Sequence, residues 1–507
     1  ATASSATAPI AEAVSSRDAA SEQRGPPPAV EPCPAARSGS VAAALAEAQA
    51  PAPAPAPPGP PPPPPAVASA SGGRPALPTA APEGPGPGAT AEVLKEVGRL
   101  SQGISANCNK WYGDAMFVNQ RNNVVDVCTP SAQYGSHAYC LERIPYDING
   151  RFLCVFEDAE LANFRPDYDK KPDEPIHSME LAVQGCTPTA YLKSPKKPWG
   201  WWEKKTLETL RTKPALECRE VIEHPVLVYT LWNGPVVSSM YEGFHDFLSL
   251  FEAVLTLKWD FKDVEVLATN LLSANDNFYP LFEAFRRSFA GRGIRHGHEW
   301  YKNGTCFRRI ALPPSPGLST LTVNGGRSGQ TSCRAPVIRA SATFIRGLFP
   351  ELQQQPQVGT KAAGCGLVLL HRDSGPRTVE SYGIVSQVNA MLTTRALAGY
   401  NASVFDPRGA PLSRALGVMA KAAVLFGVHG AGLMHVLFLR EGSALLELFC
   451  ADRSRSNGHY RTIAAMIGVS YSFREATACS GFPKGSIAEA VLSIIPKGAS
   501  LSCGRRL

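Results

Sequence analysis

The stretch Val424-Leu-Phe-Gly-Val-His429-Gly430-Ala-Gly432-Leu-Met-His435 carries the densest chemical information in the chain. An apolar strand ends, two glycines one residue apart let the backbone turn tightly, and a helix begins at once. Amide N–H groups at such a helix start, with the positive end of its dipole, cradle an anion of the pyrophosphate type. His429 stands at the carboxyl end of the strand, where open α/β sheets bind ligands. One element later, Ala444-Leu-Leu-Glu447-Leu448 sets a single acid among apolar residues. A buried carboxylate needs a partner, and the ribose hydroxyls of a nucleotide would serve. Upstream, Leu369-Leu-His-Arg372-Asp-Ser-Gly-Pro-Arg377 leaves another strand with two arginines that could clamp phosphate bidentately. His435 occupies the place of the third glycine in GxGxxG, which disfavours a nicotinamide cofactor. The rival account is a Gly-rich turn needed only for packing, with two surface arginines nearby.

A second constellation lies near the middle of the chain. Glu242, His245, Asp246 and Ser249 fall at i, i+3, i+4 and i+7, on one helical face beside the apolar stripe Met240, Phe244, Phe247, Phe251 and Leu255. Such a face could supply a general base tuned by burial; the bland account is a solvated polar face. Two other groups invite a metal and are read otherwise. Asp167-Tyr-Asp169 sits in a charged loop with no strand before it, and His296-Gly-His298-Glu299 lacks helical HExxH spacing. No metal site is expected. A GxSxG nucleophile elbow is also absent from the sequence.

The elements that must position these residues follow from the pattern. From about Cys218 the chain alternates: an apolar strand at Val226–Leu231, the helix at Ser239–Leu255, a strand at Val264–Ala268 and a helix at Pro336–Phe349. After residue 366 the alternation is unambiguous. Strands at 367–370, 402–405, 424–428, 444–448 and 469–473 alternate with helices at 384–397, 412–423 and 459–467 and a short helix ending at Leu439. Short apolar strands joined by helices imply parallel neighbours, because parallel pairing needs a crossover. Residues 108–217 have poor periodicity, and 172–198 reads as loop.

Composition bounds the rest. The chain has 507 residues and net charge +7. Residues 1–90 hold 22 of the 45 prolines and none of the aromatics, so they cannot bury enough surface to offset ordering entropy. The other 417 residues carry 46 basic and 37 acidic side chains, a surplus suited to anionic substrates and too thin to argue for nucleic acid. No apolar run reaches 18 residues. Thirteen cysteines without a CxxC pair, and sequons at Asn303 and Asn401, favour disulfides in an oxidising lumen. The chain begins at Ala1 with no signal pattern, so a membrane anchor upstream of it is an open expectation.

Taken together, these residues resemble glycosyltransferase family 61, which holds plant N-glycan β-1,2-xylosyltransferases and the animal EGF-domain O-linked N-acetylglucosamine transferase. His429–Leu433 matches the family's strand–HGAGL–helix block as it stands, and Glu447 its acidic strand; Arg372 and Arg377 look like its Arg-containing strand exit. Weaker echoes extend the resemblance over roughly 108–475. One departure is plain: the family's Asn-x-aromatic-His at the start of the mid-chain helix reads Ser239-Met-Tyr241-Glu242 here, while Asp246 keeps its place.

The resemblance implies an α/β chain of GT-B type, with two Rossmann-like domains facing a cleft behind a disordered Pro/Ala-rich stem. The ranges expected are a stem at 1–90, a Cys-rich region at 91–217, an acceptor-side Rossmann-like domain at 218–350 and a UDP-sugar-binding domain at 351–507. It further implies an inverting, metal-independent transfer from a UDP-sugar, UDP-xylose first and UDP-N-acetylglucosamine next, to a glycan or glycoprotein hydroxyl in the Golgi or endoplasmic reticulum lumen. Glu242, His245 and Asp246 are then the catalytic candidates, and His429, Gly430, Gly432, Arg372, Arg377 and Glu447 the donor-binding ones. A transferase-like scaffold that binds sugar without turnover is the alternative.

Overall fold

A computed structural model describes residues 84–130, 135–142, 152–166, 177–189, 206–229, 240–268, 281–296, 301–314, 319–321, 333–354, 365–372, 378–395, 397, 399–450 and 458–496. The expected stem therefore lies outside the described residues as far as residue 83. The chain then enters helices α1 (Ala89–Ser101), α2 (Ala106–Tyr112) and α3 (Asp114–Asn122). Strands β1 (Val124–Pro130), β2 (His137–Glu142), β3 (Phe152–Pro166), β4 (His177–Gln184), β5 (Cys186–Pro188) and β6 (Arg211–Lys213) follow, with β7 (Glu220–Ile222) and β8 (Val226–Tyr229). Next come α4 (Met240–Leu257), β9 (Glu265–Ala268), α5 (Phe282–Ser288), β10 (Ile294–His296) and β11 (Thr305–Leu312). All eleven strands join one mixed sheet, whose main path runs β10-β9-β8-β11-β3-β2-β1-β5.

This sheet departs from the expected reading of 91–217 and 218–350. Strands β8, β9 and β10 pair in parallel, as a Rossmann-like half requires. Past β11, however, the sheet turns antiparallel through β3, β2 and β1, so the Cys-rich region is built into the same sheet. The stretch read as loop at 172–198 contains β4 and β5. Disulfides Cys140–Cys154, which joins directly opposed residues of β2 and β3, and Cys128–Cys186 fasten this antiparallel part.

The C-terminal half matches the alternation read from its sequence. After α6 (Pro336–Gly347) and α7 (Glu351–Gln354), strands β12 (Cys365–Leu370), β13 (Tyr400–Phe405), β14 (Ala422–Val428), β15 (Ala444–Cys450) and β16 (Ser470–Ala476) form a parallel sheet in the order β13-β12-β14-β15-β16. Helices α8 (Ser381–Thr394), α9 (Leu412–Met419), α10 (His459–Ile467) and α11 (Lys484–Ser493) accompany it. The segment after Gly430 is a 3-10 helix, Ala431–Phe438. The sequence reading has no counterpart of α11.

Period-two alternation explains how the two sheets are layered. In β8, Leu227 and Tyr229 enter one apolar cluster while Val226 and Val228 enter a second. In β12, Val368 and Leu370 enter that same first cluster, and Leu367 and Leu369 enter a third. The first cluster therefore lies between the sheets and is filled by helices from both halves. Phe244 of α4 meets Phe438 of the 3-10 helix edge-on, with centroids 6.2 Å apart. Within α4 the expected stripe forms an aromatic ladder: Phe247 stacks on Phe251 at 5.9 Å. The two halves thus share one core instead of meeting only across an open cleft.

Candidate functional site

The order of the parallel sheet contains one winding reversal. The chain passes from β12 outward to β13, then back past β12 to β14, so β12 and β14 flank the point where winding reverses. Open α/β sheets bind ligands outside the carboxyl ends of such a pair. The residues leaving those ends are His371 and Arg372 from β12, and His429 and Gly430 from β14. The strands approach closely: a Cβ on Gly427 would sit 3.2 Å from the Leu370 Cβ, which explains a glycine two residues before His429 in β14. Arg372 is half-buried at this edge. Arg377 lies outside the described residues, as does the Asp167-Tyr-Asp169 triplet, although a strand does precede the triplet, contrary to the sequence reading: β3 ends at Pro166.

The loop itself is braced from three sides. Leu433 N–H donates to Gly430 O at 2.9 Å. The Tyr460 hydroxyl donates to the same oxygen at 2.6 Å, and His435 Nδ1 donates to Gly432 O at 2.7 Å. His435 is buried, and desolvation lowers its pKa, so it acts as a neutral brace. This gives a structural reason for histidine where GxGxxG has glycine.

Glu447 resolves differently from the expectation. It is 0% exposed in the middle of β15, opposite Gly427. One carboxylate oxygen bonds His429 Nδ1 and the other accepts from the Tyr471 hydroxyl at 2.7 Å. A carboxylate so deep must be satisfied within the protein, and here both oxygens are taken internally. Glu447 therefore orients His429, and ribose hydroxyls are not its partners. Burial, with Glu447 beside it, raises the Tyr471 pKa, which keeps that hydroxyl a donor. His429 consequently carries its Nδ1 proton toward Glu447. Its ring stacks on Phe449 at 5.3 Å and meets Tyr460 edge-on at 5.5 Å.

Across from this group lies the polar face of α4, and it is not solvated. His245, Asp246 and Ser249 are buried, Asp246 at 2% exposure, and Glu242 is half-buried. Asp246 Oδ1, Glu242 Oε2 and Ser249 Oγ have no hydrogen-bond partner among the described residues. His245 Nδ1 pairs with Ser319 Oγ at 2.7 Å. Desolvation raises the Asp246 pKa well above the ordinary carboxylate range, the nearby Tyr229 hydroxyl offsetting it in part while Glu242 adds to it. Desolvation raises that of Glu242 as well.

A stability prediction follows from the sign of these shifts. An acid whose folded pKa is raised stabilises the fold fully below its unfolded pKa of ~4, and that contribution is lost as pH rises through the folded value. The melting temperature of Asp246→Asn relative to the parent should therefore climb steadily as pH rises from about 5 to 8. A flat difference across that range would mean that Asp246 is not held protonated.

The structure also brings together residues that the sequence reading passed over. The Tyr241 hydroxyl lies 3.0 Å from His459 Nδ1, joining α4 to the first residue of α10, and the two rings pack edge-on at 5.5 Å. Tyr241 packs on His245 with centroids 4.7 Å apart. The electrostatic influence of His429 and Glu447 reaches His459. Position is the signal that could have found His459 and Tyr460: they open the helix that follows the Glu447 strand.

No protein-family model matches the chain. Among curated proteins it is similar to the EGF domain-specific O-linked N-acetylglucosamine transferase of Bos taurus, 22% identical over 362 residues, covering 68% of this chain and 63% of that protein. The protein of the same name from Gallus gallus is 24% identical over 375 residues, covering 71% and 65%. That from Drosophila melanogaster is 23% identical over 270 residues, covering 51% and 49%. The chain thus spans less than two thirds of the length of these relatives. Among solved structures, a bacterial iron-containing dodecameric glycosyltransferase from enterotoxigenic E.coli overlaps 73% of this chain and 98% of its own, at 10% identity and a TM-score of 0.25, too low to carry any argument about the fold. The sequence relatives and the His429–Leu433 block point the same way: the chain is similar to the EGF domain-specific transferases, and it resembles glycosyltransferase family 61.

Proposed function

We propose that this chain is an inverting glycosyltransferase of GT-B type that moves a sugar from a UDP-sugar to a glycan or glycoprotein hydroxyl, without a metal. One observation carries the reading above all. Glu447 fixes His429 at the sheet's winding reversal, and the acidic face of α4, where Glu242 Oε2 and Asp246 Oδ1 have no hydrogen-bond partner among the described residues, is tied to that region through Tyr241 and His459.

In the reaction, Glu242 takes the proton of the acceptor hydroxyl. That oxygen forms a bond to the anomeric carbon on one face while the bond from that carbon to the β-phosphate oxygen breaks on the other. UDP leaves with the bonding electron pair. Charge gathering on its β-phosphate is met by the amides of Gly430 and Gly432, by His429 and by Arg372, groups that stand in place before the reaction starts. Asp246, kept protonated by burial, supports the acceptor side without competing for the proton. The relatives' names bring N-acetylglucosamine level with xylose as the donor sugar, and a glycoprotein as the acceptor.

A lumenal address is part of the proposal. Cys108–Cys333 and Cys218–Cys306 close long loops, with sequence separations of 225 and 88, and Cys450–Cys479 ties the end of β15 to the segment before α11. Disulfides of this kind persist in oxidising compartments. Asn303 and Asn401 are both exposed, one in a turn and one on the edge strand β13, as glycan acceptors must be.

The direct test is a donor screen with UDP-xylose and UDP-N-acetylglucosamine on glycoprotein acceptors, with and without EDTA. Transfer should proceed with inversion and stay within about twofold on chelation, far short of the ~1.4 kcal/mol that a tenfold change represents. Strict dependence on Mn²⁺ would overturn the metal-free mechanism. Absence of transfer from any UDP-sugar would leave a binding protein.

A further inference from the structure

The first turn of α10 touches both sides of the site. Tyr460 donates its hydroxyl proton to Gly430 O at 2.6 Å, in the loop that follows His429. Its neighbour His459 meets the Tyr241 hydroxyl at 3.0 Å, one residue before Glu242 on α4. Two consecutive residues therefore hold the two halves of the reaction in one rigid register.

Both partners of the second bond are neutral. Burial, with Glu242 adding to it, pushes the Tyr241 pKa up to about 12, so its hydroxyl keeps its proton. Burial and the neighbouring His429 lower the His459 pKa, so that ring is neutral. The Tyr241 hydroxyl and His459 Nδ1 thus form a neutral hydrogen bond. No charge is placed between the acids of α4 and the diphosphate loop, so the joint transmits position without adding an ion to the site.

We propose that Tyr460, His459 and Tyr241 are positioning residues that couple the donor loop to the acceptor helix, so that UDP seated at His429–Gly432 orders the first turns of α4 and with them Glu242. The proposal rests on the UDP-sugar reading above. Two sites coupled in this way must share an element that both bias, and α10 is that element. Phe244 of α4 also meets Phe438 at the far end of the 3-10 helix, an apolar contact that Tyr241→Phe and His459→Ala leave in place.

Hydrogen exchange on the full chain, with UDP as the probe, tests this. In the parent, saturating UDP should slow exchange several-fold both over 429–438 and over the first turns of α4. Tyr241→Phe and His459→Ala should bind UDP within about twofold of the parent by calorimetry and keep the protection over 429–438. They should lose the protection over α4. His459→Asn, which keeps a hydrogen-bonding group where Nδ1 stands, should restore it; a merely structural role for the ring would not predict that rescue. Protection of α4 undiminished in Tyr241→Phe would overturn the coupling. So would a parent in which UDP protects 429–438 and leaves α4 unchanged, although the UDP reading would then stand. A parent that shows no UDP binding at all would overturn both.

Discussion

Glu242→Gln should lower kcat by about 10²- to 10⁴-fold, the usual contribution of a general base, while UDP affinity stays nearly unchanged. Glu242 is the half-buried acid of the α4 face, and so the one that an acceptor hydroxyl can approach. Asp246, wholly buried, cannot reach substrate without displacing its surroundings. Asp246→Asn should therefore cost much less than Glu242→Gln. Desolvation raises the Glu242 pKa, which brings the base closer to working pH. The parent's kcat should rise with pH through that raised value, and the acidic limb should vanish in Glu242→Gln. The two side chains influence each other, so their effects need not add. Should Glu242→Gln and Asp246→Asn both keep near-normal kcat with an intact acidic limb, the base does not lie on α4.

Where the sequence was legible, the reason was periodicity. The five strands of the C-terminal sheet are short apolar runs separated by helices, and only a parallel sheet satisfies that alternation. The Phe244–Phe251 stripe was equally plain, since a helix that gathers its apolar side chains on one face repeats them at 3.6. The N-terminal sheet was harder because β3 feeds two clusters at once. Leu153 and Val155 go to one and Cys154 and Phe156 to another, so the run shows no alternation between apolar and polar residues. Burial also decided what the α4 face is. Spacing alone gave Glu242, His245, Asp246 and Ser249 a common face, but whether water covers it depends on elements far away in the chain, among them Ser319. Glu447 shows the same limit from the other side: a lone acid in an apolar strand signals that it has a partner, and not which one. Tyr471, which takes one of its oxygens, lies on the next strand of the sheet.

That pairing sets the second large effect. His429→Ala should weaken UDP binding by about 10- to 100-fold, since losing one hydrogen bond to a charged group costs about 1.5–3 kcal/mol, and transfer should slow at least as much. Glu447→Gln should reproduce part of that loss although residue 447 is 0% exposed and out of reach of the ligand. Its amide can satisfy His429 or Tyr471 at each position but no longer offers two acceptors, so the imidazole loses its fixed orientation. Orienting carboxylates behind a functional histidine commonly act this way. In Glu447→Ala both partners are left unpaired in the interior, so the fold itself should lose several kcal/mol, of the order seen when one member of a buried pair is removed. Stability and binding are therefore to be read separately, and Glu447→Gln is the informative variant. The double variant His429→Ala/Glu447→Gln should bind UDP no more weakly than His429→Ala alone, because once the imidazole is gone its orientation has nothing left to act on. Additive losses in that cycle would mean that Glu447 serves UDP by another route, and tight UDP binding by His429→Ala would remove the diphosphate site from this loop.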